Sequence, residues 1–428
     1  MSRRYPFLVL LVFLVFFVIS FLTNILGPLV PDLIEGFDLS LGLAGFLPFA
    51  FFAAYGVMSI PAGMLLERYR EKRVMVAAFA LAFAGSLLFA SIPTFAAALP
   101  SLFLIGLGMT MLQVAINPLL RAAGGEEHFA FLSVLGQLVF GSASFLSPLV
   151  YSWLVTSMKG DATGHGALVA LLARQVPREL PWVSLYWLFA AVTVLMVALL
   201  AAVPLPRFEL KEDERAGAWQ THRELLADRR VWLFFAAIFC YVGSEQGIAN
   251  WISKFLATYH GLDPQVEGAR AVAFFWGLMT AGCLLGLLLL KLLDSRRVLI
   301  GFAVAAIATL AAALAGPARV SYYAFMLVGF CLSVMWSVIF SLALNSVPRH
   351  HGSFSGILCT GIVGGAVVSL AVGWLGDRFG LRASMGLLFL TLGYILSVGF
   401  WARPLVANAT VPLRELLRSR RRAEMTAP

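Results

Sequence analysis

Twelve runs of apolar residues, each long enough to cross a bilayer as a helix, constrain this chain more than any other feature of its sequence. A spanning helix needs about 20 predominantly apolar residues, whereas a membrane β-barrel alternates polar and apolar residues along its strands. The composition agrees, because 61% of the 428 residues are hydrophobic and only 12% are charged. The sequence therefore predicts an all-α membrane protein with twelve transmembrane helices and excludes a soluble enzyme.

The runs divide into two groups of six around a charged stretch. The first group covers residues 7–31, 41–66, 74–92, 95–122, 128–156 and 183–204. The second group covers residues 231–258, 269–292, 298–316, 319–345, 353–376 and 382–402. We predict an N-terminal six-helix bundle (1–204), a cytoplasmic linker (205–230), a C-terminal six-helix bundle (231–402) and a basic cytoplasmic tail (403–428).

The distribution of basic residues predicts how the helices are oriented. If the N-terminus is cytoplasmic, 23 of the 31 Lys and Arg residues fall in cytoplasmic segments. The positive-inside rule then places both termini in the cytoplasm, as in a multi-pass protein of a bacterial inner membrane. The net charge of +9 therefore reflects topology, and we expect contact with membrane lipid but no nucleic-acid partner.

Short segments recur at an offset of 220 to 221 residues, which indicates an internal duplication. The segment Tyr55-Gly-Val-Met-Ser falls on Trp276-Gly-Leu-Met-Thr, and Gly108 falls on Gly329. Because segments in different helix pairs share nearly the same offset, we predict two pseudo-symmetric copies of one six-helix unit.

The loop after the second run carries closely spaced charges at Glu67, Arg68, Arg70 and Arg73. Two parallel six-helix halves with such a loop resemble the major facilitator superfamily, in which substrate binds near the midplane between the halves. The resemblance implies that these charges latch neighbouring helices on the cytoplasmic side in one conformation. A basic loop that only sets topology is the alternative. The loop departs from the family motif at Glu67, where aspartate is usual, and at Arg70, where glycine is usual.

Polar residues inside the apolar runs are candidates for function, because an ionised group in the bilayer interior is costly unless it is paired or hydrated. Of the 22 acidic residues, Glu245 alone lies in the middle of a run. The candidate substrate-binding residues are Asn24, Gln113, Asn117, Gln137, Glu245, Gln246, Asn250, Trp251 and Trp336. Asn24 corresponds to Glu245 under the repeat offset, so we expect the two polar groups to face each other.

This set of side chains favours an uncharged polyhydroxylated substrate. Amides and a carboxylate hydrogen-bond hydroxyl groups, and a tryptophan ring offers an apolar face to the C–H side of a pyranose. Each residue also has a structural alternative, since the amides can bond between helices, the tryptophans can pack, and Glu245 can tie helices together. The four cysteines lie inside apolar runs without metal-ligand spacing, so we expect no metal site.

Four segments resemble the fucose:proton symporter family. They are Gly108–Pro118, Tyr241–Trp251, Ser333–Asn345 and Gly361–Ala366. The resemblance implies monosaccharide uptake by alternating access. The fucose symporter carries an aspartate in its first helix and a glutamate in its fourth, where this chain has Gly27 and Gln113. Since neither residue can titrate, coupling through that pair is not expected to carry over.

We therefore expect a secondary transporter of a neutral hexose such as glucose, galactose, mannose or fucose, acting as a monomer by family resemblance. Uptake is expected to be coupled to sodium or protons, with Glu245 as the candidate cation site and with no other cofactor. A facilitative uniporter, and an exporter of sugars or hydrophobic compounds, remain alternatives because a fold does not fix substrate or direction. The sequence shows no nucleophile, metal cluster or phosphate loop, so an enzyme is not expected, and a non-transporting sensor is less favoured.

Overall fold

The computed structural model describes residues 6–124, 129–159, 166–203, 219–347 and 351–405. Within these ranges it contains twelve helical segments long and apolar enough to cross a membrane, which confirms the predicted fold class. Most of the predicted linker and nearly all of the predicted basic tail lie outside the described residues.

The twelve spans are numbered in chain order. In the first half they are Pro6–Thr23 with Leu26–Phe37 (span 1), Leu41–Tyr69 (span 2), Glu71–Ser91 (span 3), Phe95–Gly124 (span 4), Phe129–Lys159 (span 5) and Val183–Ala202 (span 6). In the second half they are Arg229–Ala249 with Ile252–His260 (span 7), Pro264–Gly268 with Ala269–Leu292 (span 8), Ser295–Ala315 (span 9), Ala318–Leu332 with Met335–Leu344 (span 10), His351–Thr360, Gly361–Val363 and Gly364–Phe379 (span 11), and Leu381–Ser384 with Leu387–Trp401 (span 12). Short helices Ala167–Ala173 and Trp219–Leu226 lie between spans.

Each half has its own hydrophobic core. Buried side chains of spans 1 to 6 form most of one cluster and those of spans 7 to 12 most of a second, with Val30 and Ala44 packed in the second cluster and Ala366 in the first. We call the membrane face at which span 1 begins the near face and the opposite one the far face. Odd-numbered spans then run from the near face to the far face.

Several spans are interrupted inside the membrane. Span 1 breaks at Asn24 and Ile25, span 7 at Asn250 and Trp251, and span 10 at Ser333 and Val334, while span 11 contains a short 3₁₀ turn. Such breaks are tolerated at membrane depth where the freed backbone groups are buried in protein or line a cavity. Discontinuous helices are also where transporters commonly place their binding sites.

Two seams join the halves, because span 2 packs along span 11 and span 5 packs along span 8. On the second seam the rings of Phe145 and Phe274 meet edge to face, with centroids 5.5 Å apart. Toward the near face the two helices of this seam diverge, as the exposure of their facing side chains indicates. Gln137 lies one turn before Gly141, which faces Thr280, and Gln137 is exposed. Leu284, one turn after Thr280, is 49% exposed.

Polar contacts close the far face between the halves, and we call the residues that make them the far gate. On the seam between spans 5 and 8, Gln265 donates from Nε2 to Asp32 Oδ1 (2.5 Å) and accepts at Oε1 from Lys159 Nζ (2.6 Å). Tyr151 donates its hydroxyl to the other oxygen of Asp32. On the seam between spans 2 and 11, the carboxylate of Asp377 accepts from the N–H groups at the start of span 2, each at 2.8 Å.

The sequence boundary of span 1 was too short. The run was expected to end at residue 31, which would leave Asp32 at a helix end. The helix instead continues past Pro31 to Phe37, so that Asp32 is a buried side chain of the span. Its carboxylate is tolerated because Tyr151 and Gln265 supply donors.

At the near face the predicted latch residues are exposed. Arg68, Arg70 and Arg73 point to the surface, with the guanidinium of Arg68 5.3 Å from the ring centroid of Tyr69. The side chain of Glu67 lies outside the described residues. In this conformation the neighbouring Lys72 instead donates to the carbonyls of Ala201 (2.9 Å) and Val203 (2.7 Å) at the end of span 6. A latch between the halves therefore stays a prediction for a state in which the near face closes.

The start of span 7 is fixed by a local cap on the near face. Asp228 accepts from the backbone N–H of Arg230 (2.8 Å) and pairs with its guanidinium (2.8 Å). The hydrogen bonds from the Arg230 side chain hold the pKa of the Asp228 carboxyl below its usual value.

Replacing Arg70 by glycine is expected to stabilise the protein by about 1 kcal/mol. Arg70 joins spans 2 and 3 with φ of 67° and ψ of 153°, a backbone conformation that residues with a Cβ rarely adopt and that typically costs about 1–3 kcal/mol. The greater freedom of glycine in the unfolded chain offsets part of this gain. Thermal unfolding of the purified protein in detergent measures the change.

Arg68→Gly is the matched control, because Arg68 is an exposed arginine inside the helix and glycine there should cost about 1 kcal/mol. Equal losses of stability in both variants would show that the backbone at residue 70 is not strained.

Candidate functional site

The carboxylate of Glu245 is the centre of the candidate site. It lies in span 7, where Oε2 accepts from the Tyr241 hydroxyl (2.6 Å) and Oε1 accepts from Nε2 of Gln246 (3.0 Å). Glu245 is half-buried, while Ser244 and Gln246 beside it are buried. One side of the carboxylate is thus held by its own helix, and the group keeps free acceptor positions that a ligand can use.

An aromatic wall adjoins this carboxylate. The ring of Trp336, which follows the break in span 10, lies 6.0 Å from that of Tyr241, centroid to centroid. Phe340 stacks one turn further along the helix, with its ring centroid 5.7 Å from that of Trp336. Trp336 is half-buried, so part of this residue is accessible next to Tyr241, whose hydroxyl is bonded to Glu245.

The pair Glu245 and Gln246 lies where the two halves meet. Gly365 of span 11 leaves room for both Gln246 and Phe52, since a Cβ there would be 3.1 Å from Gln246 Cγ and 3.3 Å from Phe52 Cγ. Phe52 belongs to span 2 of the other half. The site therefore borders the surface along which the halves must move if they rearrange.

Two predicted amides of the first half remain accessible. Gln113 in span 4 is half-buried, and Gln137 in span 5 is exposed on the side of the helix that turns toward span 8. The side chain of Asn117 lies outside the described residues. Gln113, Gln137, Glu245 and Trp336 are thus the predicted side chains with open surface in this conformation.

Three other predicted residues hold helices together within one half. Asn24 donates to Ser144 Oγ (2.8 Å) rather than across to Glu245. Asn250 donates to Ser369 Oγ (3.2 Å), and the fully buried Trp251 donates its indole N–H to the carbonyl of the same serine (3.2 Å). These contacts stabilise the breaks in spans 1 and 7, and they leave the ring of Trp251 without open surface in this state.

Sequence reasoning did not assign a role to Tyr241, which holds the carboxylate of Glu245. Its position four residues before Glu245 places both on one helix face, and this spacing was a usable signal. Among the described residues, no group of three or more His, Cys, Asp or Glu side chains is arranged to hold a metal ion.

Two six-span halves with polar side chains at their common boundary are typical of membrane transporters built from parallel repeats. Residues 12–362 match the sequence profile of the Major Facilitator Superfamily. The chain belongs to this superfamily, as its sequence resemblance implied, and its relatives are transporters rather than enzymes.

Curated relatives match over nearly the whole chain. The glucose/galactose transporter of Brucella abortus biovar 1 (strain 9-941) is 31% identical over 403 residues, which are 93% of this chain and 94% of the relative. The L-fucose-proton symporter of Escherichia coli (strain K12) is 25% identical over 401 residues, which are 89% of each chain.

Solved structures share the fold. A Major Facilitator Superfamily transporter, FucP, in the outward conformation has a TM-score of 0.67 at 22% identity, with 94% of this chain and 100% of that chain covered. A bacterial homologue of the human lysosomal transporter Spinster, in an inward-facing and unoccupied conformation, has a TM-score of 0.76 at 15% identity, with 94% and 98% covered.

Proposed function

We propose that this protein moves a neutral monosaccharide, a hexose such as glucose, galactose, mannose or fucose, across a bacterial inner membrane by alternating access. The substrate binds between the halves, and both termini lie in the cytoplasm, so that the near face is cytoplasmic. The basic residues of the near-face segments support this orientation. The relatives named as glucose/galactose transporters and fucose-proton symporters support the substrate class.

The observation that carries the proposal is the pairing of Glu245 with the Trp336 wall. A sugar ring has hydroxyl groups around its edge and C–H groups on its faces, so it needs acceptors beside an aromatic surface. The open oxygens of Glu245 meet the first requirement, and the partly exposed indole of Trp336 meets the second. Gln113 and Gln137 add amides from the opposite half, while Asn24, Asn117, Gln246, Asn250 and Trp251 support the site or join it in other states.

The closed far gate and the parted near face correspond to one end of an alternating-access cycle. In this state the substrate exchanges with the near face. Opening the far gate while the near face closes gives the opposite state, in which Glu67, Arg68, Arg70 and Arg73 would latch the halves. The protein acts as a monomer in this scheme, because each chain carries both halves of the site.

Uptake is coupled to a cation, sodium or a proton, in the proposed scheme. Gly27 and Gln113 stand where the fucose symporter has acidic residues and cannot carry a proton. Glu245 is the remaining carboxylate at the site and is the candidate for holding the cation. A facilitative uniporter is the second candidate, and an exporter of sugars or hydrophobic compounds is the third.

Adding a transported hexose is expected to raise the unfolding temperature of the purified protein, because a ligand that binds the native state stabilises it by mass action. At a concentration of 100 times Kd the gain is about 2.7 kcal/mol. We would compare glucose, galactose, mannose, fucose and N-acetylglucosamine, each in sodium or potassium at matched ionic strength.

A shift with one sugar that grows in sodium identifies the substrate and supports sodium coupling. A shift that does not depend on sodium favours proton coupling or uniport, which pH-dependent flux then distinguishes. If no sugar shifts a folded sample, the monosaccharide proposal is wrong and the exporter becomes the leading candidate.

A further inference from the structure

Two neighbouring cavities beside span 8, one toward span 10 and one toward span 5, are not used by the proposed transport cycle. The first, which we call the head-group pocket, has a volume of about 700 Å³ and lies at the far-face ends of spans 8 and 10. The second, the chain pocket, has a volume of about 380 Å³ and lies deeper along the seam. Phe274, which is 41% exposed, lines both pockets, so the two pockets adjoin each other at this ring.

The head-group pocket is basic. Arg270 enters it from the start of span 8 and Arg319 from the start of span 10, and both side chains are exposed. Neither guanidinium forms an ion pair with another described residue. The acidic side chain at the pocket, Glu267, accepts from the backbone N–H of Asp263 (3.0 Å). Two guanidinium groups from different helices that face one cavity form a site for a phosphate group.

The rim of this pocket suits the membrane interface. Tyr322 and Tyr323 line it beside the arginines, and Tyr323 is 59% exposed. Tyrosine is enriched where lipid head groups meet the hydrocarbon, because its ring is apolar and its hydroxyl polar. The pocket therefore lies at the depth of the lipid phosphates of the far leaflet.

The chain pocket is suited to hydrocarbon and not to water or sugar. Its two hydroxyl groups are satisfied within their own helices, since Ser142 donates to the carbonyl of Val139 (2.8 Å) and Thr280 to that of Trp276 (2.9 Å). The remaining lining comes from Phe145, Phe274 and Leu278, with glycines at 141 and 277. An apolar cavity without free polar partners does not hold ordered water.

The length of the two pockets matches one acyl chain. Arg270 and Thr280 are ten residues apart on one helix, which corresponds to about 15 Å at 1.5 Å per residue. This is about half of the roughly 30 Å hydrocarbon thickness of a bilayer and therefore the depth of one leaflet.

We propose that this composite cavity binds an anionic phospholipid of the far leaflet, with its phosphate between Arg270 and Arg319 and one acyl chain along the seam, against the rings of Phe145 and Phe274. Because the chain lies between helices of opposite halves, the lipid stabilises the state in which this seam is closed. The inference is independent of the identity of the transported substrate.

The test uses the purified full-length protein in detergent, titrated with palmitoyl-oleoyl phosphatidylglycerol, the corresponding phosphatidylcholine, or glycerol 3-phosphate. Bound lipid is counted by native mass spectrometry, and thermal unfolding is followed in parallel. We expect phosphatidylglycerol to bind and to raise the unfolding temperature, with affinity reduced about tenfold or more in an Arg270→Gln, Arg319→Gln double variant. Arg174→Gln, an exposed arginine of the far face in the other half, should bind as the unchanged protein does.

Equal affinity in the double variant, or equal binding of phosphatidylcholine, would overturn the proposal. Binding of glycerol 3-phosphate as tight as that of the lipid would also overturn it, because the pocket would then hold a soluble phosphate ester. A second measurement tests the chain pocket. Phosphatidylglycerol with brominated chains should quench the fluorescence of a Phe274→Trp variant more than it quenches the native tryptophans of the unchanged protein. Unchanged quenching would show that no chain enters the seam.

Discussion

Replacing Gln265 by leucine is expected to open the far face, with the largest effect of any change considered for this protein. The amide of Gln265 donates to buried Asp32 and accepts from Lys159, both in the other half, so both of these hydrogen bonds of the far gate depend on one side chain. Leucine of similar volume removes both. Asp32 then keeps Tyr151 as its donor but loses the hydrogen bond from the other half, and a hydrogen bond to a charged group is typically worth about 1.5–3 kcal/mol.

A cost of about 3 kcal/mol to the closed state corresponds to roughly a hundredfold shift of the equilibrium between the two states. Double electron–electron resonance would detect this shift. The spin labels would be attached to cysteines introduced at Ile92 and Val320, which are exposed at the far face in opposite halves. The four native cysteines would first be replaced by alanine. In Gln265→Leu, the distance between the two spin labels should be longer than in the unchanged protein, whose far face is closed.

Gln175→Leu is the control for this experiment, because Gln175 is an exposed glutamine of the far face outside the gate. A distance distribution that stays the same in Gln265→Leu would refute the assignment of Gln265 to the gate. An equal change in both variants would attribute the opening to a general loss of stability.

Replacing Glu245 by glutamine is expected to abolish accumulation of the sugar against its concentration gradient, which is the second large effect. Glutamine keeps the size of the side chain and still offers an acceptor to Tyr241, but it has no charge to hold a cation. Uptake into membrane vesicles with an imposed ion gradient measures accumulation, which should fall at least about tenfold, since a loss of 1.4 kcal/mol of binding already gives that factor.

Counterflow of labelled sugar separates the two roles of this carboxylate. Counterflow that persists without accumulation assigns Glu245 to coupling, whereas loss of sugar binding assigns it to recognition. Glu179→Gln, which neutralises an exposed acidic residue outside the site, should leave both activities intact. If Glu245→Gln retains accumulation and counterflow, the site has been placed wrongly.

The fold could be predicted from the sequence because its main determinant is local. Continuous apolar runs of helix length leave few alternatives in a membrane, and Glu245 stood out because a carboxylate in the middle of such a run is rare. The interruption of span 10 at Ser333 could not be predicted from the sequence, because neither of the two residues at the break is a proline or a glycine.

The far gate could not be predicted, because its contacts join residues far apart in sequence. Asp32 and Gln265 are separated by 233 positions, and each resembles an ordinary helix-end residue in its local context. The burial of Trp251 was equally hidden, because an apolar run does not show which of its rings pack and which remain accessible. Trp251 is fully buried whereas Trp336 is half-buried, and this difference depends on which helices cover each ring.

The contact of Asp377 with span 2 is expected to constrain the sequences of homologues only weakly. Its partners are the backbone N–H groups of Leu41 and Gly42, which every residue except proline provides, so at residue 41 the contact excludes proline alone. At residue 42 a Cβ would lie only 2.6 Å from Asp377 Oδ2, so glycine fits there best. Pairwise covariation among homologues is therefore expected to give only a weak signal for this contact, between the acidic residue at 377 and the glycine at 42.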